Sequence, residues 1–173
     1  MGHIIKEAEG RISVIQYDGV FDYDGLITFL HGWFTKRKWF FHEKVVKYKK
    51  SGLGHEMERE WNNWRKVSEY YKYHAGLQLH LWDAFPVEVV KNGKKRKFWR
   101  ARIELSLSFK VEADYQDKFG TSEFMKKLRT FMHEYIMKKE ILSAHADPLY
   151  YTMLGLHNDV KQFLEMSDTQ TVY

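Results

Sequence analysis

The clearest hydrophobic pattern in the chain lies between Phe98 and Asp114. Trp99, Ala101, Ile103, Leu105, Leu107, Phe109 and Val111 alternate there with Arg100, Arg102, Glu104, Ser106, Ser108, Lys110 and Glu112. A period of two predicts a strand with one dry and one wet face. Upstream, Val87-Glu88-Val89-Val90 and the Asn92-Gly93 pair predict a hairpin turn. Tyr71, Tyr73, Ala75, Leu77, Leu79 and Leu81 repeat the alternation and predict an antiparallel neighbour. Residues 57–66 fit two readings. Met57, Trp61, Trp64 and Tyr71 share a helical face, whereas Met57, Arg59, Trp61, Asn63 and Arg65 share one side of a strand that would run unbroken into Tyr71. Lys38 to Lys50 reads as a further strand whose alternation slips near Val45-Val46, followed by a turn at Ser51-Gly52-Leu53-Gly54. Arg11 to Tyr17 reads as a short first strand ended by Asp18-Gly19.

Three segments carry helical spacing instead. Asp22 or Asp24 caps the first, whose apolar face is Leu26, Ile27, Leu30, Trp33 and Phe34. From Thr121 onward Phe124, Leu128, Phe131, Met132, Tyr135 and Ile136 form a stripe, with the lysines largely elsewhere. Asp147-Pro148 opens the last helix, with Leu149, Met153, Leu156, Val160, Phe163 and Leu164 on one side. The expected fold is α+β: an antiparallel sheet of about five strands, one helix after the first strand, and two C-terminal helices packed on one sheet face. Residues 1–173 are expected to form a single domain, with 167–173 a frayed tail.

Composition narrows the chemistry. The 173 residues contain no cysteine, which excludes disulfides, thiol catalysis and thiolate metal sites. Aromatic residues make up 17%, enough large rings to fill a core without covalent staples. No apolar run resembles a signal peptide or approaches the roughly 20 residues of a membrane helix, so a cytoplasmic location without membrane insertion is expected. The net charge of +5 permits attraction to nucleic acid.

Candidate chemistry is sparse. His55-Glu56 begins like a zinc-protease signature, but Arg59 stands where the second histidine is required. His74 and His80 share a strand face about 20 Å apart at about 3.3 Å per residue, too far to hold one ion. No nucleophile elbow, phosphate loop or dinucleotide fingerprint occurs, so no catalytic, cofactor or metal residue is assigned. Two surfaces stand out as binding candidates. The wet sheet face would display Tyr70, Lys72, His74, His80 and Trp82 with Arg100 and Arg102. Such residues fit protein contact or self-association first, cover by a further helix or the chain's own tail second, and stacking of RNA bases third. The Lys94, Lys95, Arg96 and Lys97 run forms a candidate anion-binding loop. The expected role is therefore a non-enzymatic binding or assembly protein acting through the sheet face or an edge strand. The alternatives are an RNA-binding module, and a small-molecule carrier or enzyme with a pocket between sheet and helices.

Trp33-Phe34 followed by Trp39-Phe40-Phe41-His42-Glu43-Lys44, then Arg65-Lys66-Val67, Tyr70, Asn92-Gly93-Lys94-Lys95, Arg102-Ile103-Glu104 and Asp114-Tyr115 resemble, in this order, a group of small uncharacterised archaeal proteins. The resemblance covers most of the chain and implies no activity and no catalytic residue. The strand–helix–sheet–helix order is also similar to that of helix-grip proteins, which enclose lipids, with fewer strands and two terminal helices here.

Overall fold

The computed structural model describes residues 3–52, 54–91, 94–120 and 122–165. The predicted Asn92-Gly93 turn, Leu53 and the tail from Ser167 to Tyr173 lie outside them. Strands β1 (His3–Arg11) and β2 (Ile15–Phe21) precede helix α1 (Tyr23–Lys36). A meander of β3 (Glu43–Ser51), β4 (Gly54–Lys66), β5 (Tyr71–Lys91) and β6 (Lys94–Ala113) follows. The chain ends in helices α2 (Glu123–Phe131), α3 (Lys138–Ile141) and α4 (Asp147–Phe163), joined by π-helical turns at Met132–Ile136 and Leu142–Ala146.

The fold is α+β, with all six strands in one antiparallel sheet of order β1-β6-β5-β4-β3. β2 also pairs with β6, beyond β1, so the first row of the sheet is two strands laid end to end. The alternation that predicted β6 holds along its length. Ala101, Ile103, Leu105, Leu107, Phe109 and Val111 are buried, as are Tyr71 to Leu81 at every second position of β5. α1 and α4 cover that side through Leu26, Leu30, Phe34, Leu149, Met153, Leu156 and Val160, forming one continuous core. α1 starts where Asp22 accepts a hydrogen bond from Gly25 N at 2.8 Å.

Several boundaries differ from the sequence reading, each for a local reason. The strand expected across Arg11 to Tyr17 instead breaks at residues 12–14, while Ile12 N still donates to Leu107 O. Asp18-Gly19 is not a turn but lies inside β2, where Asp18 pairs with Arg102 and forms an ion pair with Arg100 at 3.0 Å. The third strand begins at Glu43 rather than Lys38, and its register slips between Glu43 and Val45. Residues 57–66 are strand, and β4 does not run on into Tyr71. A turn at 67–70 reverses the chain, held by the Ser68 hydroxyl, which accepts from Tyr70 N and Tyr71 N. Asp147 is not a cap, because α4 continues directly from the preceding π turn.

One extra residue in β5, between Leu81 and Ala84 opposite β4 and between Trp82 and Phe85 opposite β6, bulges that strand and bends the sheet. Gly54 is needed there: a Cβ would sit 2.8 Å from the backbone carbon of Asp83. Past this bend β5 and β6 continue as a two-stranded arm, Val87↔Phe98 to Lys91↔Lys94, beyond the ends of β4 and β2.

Candidate docking surface

The wet sheet face stays open to solvent, but its side chains are already engaged with one another. Lys72, His74, His80 and Trp82 on β5 and Arg100 and Arg102 on β6 all lie on it. His80 stacks on Trp82 with centroids 3.9 Å apart, and its Nε2 lies 2.9 Å from Glu56. His74 Nε2 meets Glu112 at 2.7 Å. Arg102 donates to Asp83 through Nε and Nη2, and Arg100 pairs with Asp18. At the β3 edge, Lys44 and Lys47 pair with Glu60 and Glu58. The ring of Trp64 is covered on its faces by Phe40, stacked at 4.8 Å, and by the Lys72 ammonium at 4.6 Å. Cations are thus matched by carboxylates and aromatic faces by neighbours. A phosphate chain would have to displace existing contacts at most positions.

Tyr70 does not belong to this face. It sits in the 67–70 turn, and its hydroxyl lies 2.5 Å from His133 Nε2. The Lys94–Lys97 run does not form one site either. Alternation along the arm separates Arg96 from Lys95 and Lys97. Lys95 pairs with Glu88 at 3.3 Å, and the Lys97 ammonium lies 5.2 Å over Trp99. Arg96 instead lines a hollow of about 700 Å³ with Val20, Phe98 and Phe163. The side chain of Lys94 lies outside the described residues.

The surface that the sequence reading missed is on α2 and the π turn after it. The stripe Phe124, Leu128, Phe131, Met132, Tyr135 and Ile136 was expected to cover the sheet, and apart from the half-buried Met132 it points the other way. Phe124 is 71% exposed, Phe131 51%, Tyr135 73% and Ile136 59%, whereas Arg129 is 9% and His133 1% exposed. The helix is inverted in this sense: the residues it turns inward, Arg129 and His133, are polar, while its apolar stripe faces water alongside Glu123, Lys126 and Lys127.

The inversion has a specific cause. β6 ends at Asp114, which is fully buried with φ of 52° and folds the following turn. Its carboxylate accepts from Lys118 N at 2.6 Å, Phe119 N at 3.4 Å and Arg129 Nη1 at 3.2 Å. Arg129 also donates to Asp117 at 2.9 Å. One turn later His133, at i+4 on the same side of the helix, takes Tyr70 as its partner. Burial raises the Tyr70 pKa to about 12, so its hydroxyl keeps its proton beside the His133 ring. Two polar anchors, Asp114–Arg129 and Tyr70–His133, therefore fix the rotation of α2 about its axis. The apolar stripe on the opposite side is left without a cover among the described residues.

The π turns let the chain change from this arrangement to ordinary packing. Inward-facing positions run Arg129, His133, Met137, Ile141 and Ala146, at intervals wider than the 3.6 residues of an α-helix. The extra residue in each i→i+5 turn absorbs the difference, as with Met137 N donating to Met132 O. Beyond the first π turn the inward side becomes apolar, with Ile141 and Leu149 buried.

No protein-family model matches the chain, and no curated protein is significantly similar to it. Its role has to be argued from its own geometry. Among the described residues no three His, Asp or Glu converge on a metal-sized site, and no helix is long and apolar enough to cross a membrane.

The anchoring region also carries histidines that titrate against folding. Burial lowers the pKa of His145, against the pull of Glu140, and the pKa of His74, against the pull of Glu112. Both are neutral in the fold when the unfolded chain, near 6.5, begins to protonate. Their contribution is flat above that value and is lost as pH falls below it toward the lower folded values. Thermal midpoints are thus expected to drop between about pH 7 and pH 5. His145→Gln should flatten that decline relative to the wild type. Parallel pH curves for the two proteins would remove His145 from the account.

Proposed function

We propose that this chain is a non-enzymatic binding protein that docks onto a protein partner through the outward-turned face of α2. The observation that carries this reading is the inverted helix, with two buried polar anchors inside and a run of large apolar side chains outside. Exposed apolar side chains on their own are common. A contiguous patch held outward by dedicated polar contacts marks an interaction site. Phe131 and Tyr135, stacked at 5.2 Å, supply rigid aromatic area of the kind that dominates protein contacts.

The sheet face supports the RNA reading less well, because its cations and rings already have partners. The core between sheet and helices is filled by Leu77, Leu79, Leu105 and Met153, each buried, which leaves the carrier reading without an enclosed cavity at that level.

The test is gel filtration of an unfractionated native extract, with the chain followed by antibody. The wild type should elute well above its own mass of 20.9 kDa, and F131E should return it to monomer size. An elution position that F131E does not change, or a wild type already at monomer size, would overturn the proposal.

A further inference from the structure

The α2 face is complementary to itself, and we infer that its occupant is a second copy of this chain, packed antiparallel across a two-fold axis near Thr130 and Phe131. This rests on the docking role proposed above and names its partner. The argument is one of charge. Lys127 and Glu134 lie on the same flank of the apolar stripe, one toward each end, and both line a shallow hollow of about 350 Å³ with Lys126, Thr130, Phe131 and Tyr135. Neither makes an ion pair within the described residues, in contrast to Lys126, which pairs with Glu123 at 2.8 Å.

A two-fold axis perpendicular to the helix lays each flank against the same flank of the other copy, reversed in direction. Lys127 then meets Glu134 of the second copy, and Glu134 meets its Lys127. A parallel pair would set this flank against the opposite flank of the other copy and keep Lys127 and Glu134 apart. With the axis at this point Phe131 sits at the centre, Leu128 and Tyr135 flank it, and the hollow beside each Phe131 receives a ring from the other chain. An acidic lipid surface fits less well, because Glu123, Glu134 and Glu140 punctuate the same helical run. A patch of one helix face falls at the small end of specific interfaces and implies a dissociation constant of about micromolar order.

The decisive experiment is sedimentation equilibrium of the purified chain from about 1 to 200 μM, the range that brackets such a constant. The wild type should pass from monomer to dimer across it. K127E and E134K should each weaken association by roughly tenfold, since each turns two attractive contacts into repulsive ones. An equimolar mixture of K127E and E134K should restore association, as should the double variant. Both positions are exposed surface, and circular dichroism checks that the variants remain folded. A wild type that stays monomeric throughout would overturn the inference, and so would a mixture no stronger than either variant alone. A monomeric pure chain that still enters an F131E-sensitive complex in extract would sink the second copy and leave the docking role standing. Loss of both results would sink both.

Discussion

Asp114→Ala is expected to lower the stability of the protein by about 3–5 kcal/mol, the range for breaking a buried ion pair by removing one member. The side chain is fully buried and serves three donors: two backbone amides of its own turn and the Arg129 guanidinium. Its φ of 52° adds a backbone term, since alanine tolerates that region poorly while aspartate and asparagine enter it more readily. Asp114→Asn should accordingly cost distinctly less than Asp114→Ala. Urea unfolding of the three proteins measures this directly. A loss below about 1 kcal/mol for the alanine variant would mean that the turn and α2 are not held by this carboxylate.

The second large effect is a contrast between two aromatic residues. Trp61 is 1% exposed beneath α1, against Phe41, and Trp61→Ala should cost about 3–5 kcal/mol. Phe131 has a side chain of similar kind in an apolar stripe of equal promise on paper, yet its truncation should cost no more than about 0.5 kcal/mol in the dilute monomer. What it loses there is the stacking on Tyr135 one turn away, a contact of a few tenths of a kcal/mol. Thermal or urea denaturation at low protein concentration separates the cases. A Phe131→Ala penalty above about 2 kcal/mol would place that ring in the core and refute the inverted helix.

The same contrast explains how far the sequence could be read. The sheet was legible because β6 and β5 obey strict alternation, and nothing in the fold competes with it. α1 and α4 were legible because their apolar residues recur at the helical period and are the residues buried. The segment from Glu123 to Ala146 was misread because it too shows a 3.6-residue apolar stripe, while the inward side follows a longer repeat set by π turns. Periodicity reports which residues share a side and is silent on which way that side faces. The missing information was polar: Arg129 and His133 spaced i to i+4 opposite the stripe, downstream of Asp114 and Asp117. That spacing stands in the sequence, but its meaning depends on where β6 ends and on Tyr70 arriving from a distant turn. The wet face carries fewer free groups than its sequence suggests, for a related reason. Residues singled out for their chemistry, such as His74, His80 and Arg102, sit across strand pairs from carboxylates that already engage them.

Hydroxyl-radical footprinting of the dilute, monomeric protein tests the outward-facing helix most directly. Phe124, Phe131 and Tyr135 should be oxidised at rates close to those in the unfolded chain, while Phe34 and Trp61 are strongly protected. Protection of Phe131 and Tyr135 to the level of Phe34 under those conditions would show the stripe packed inward, and the docking surface would not exist.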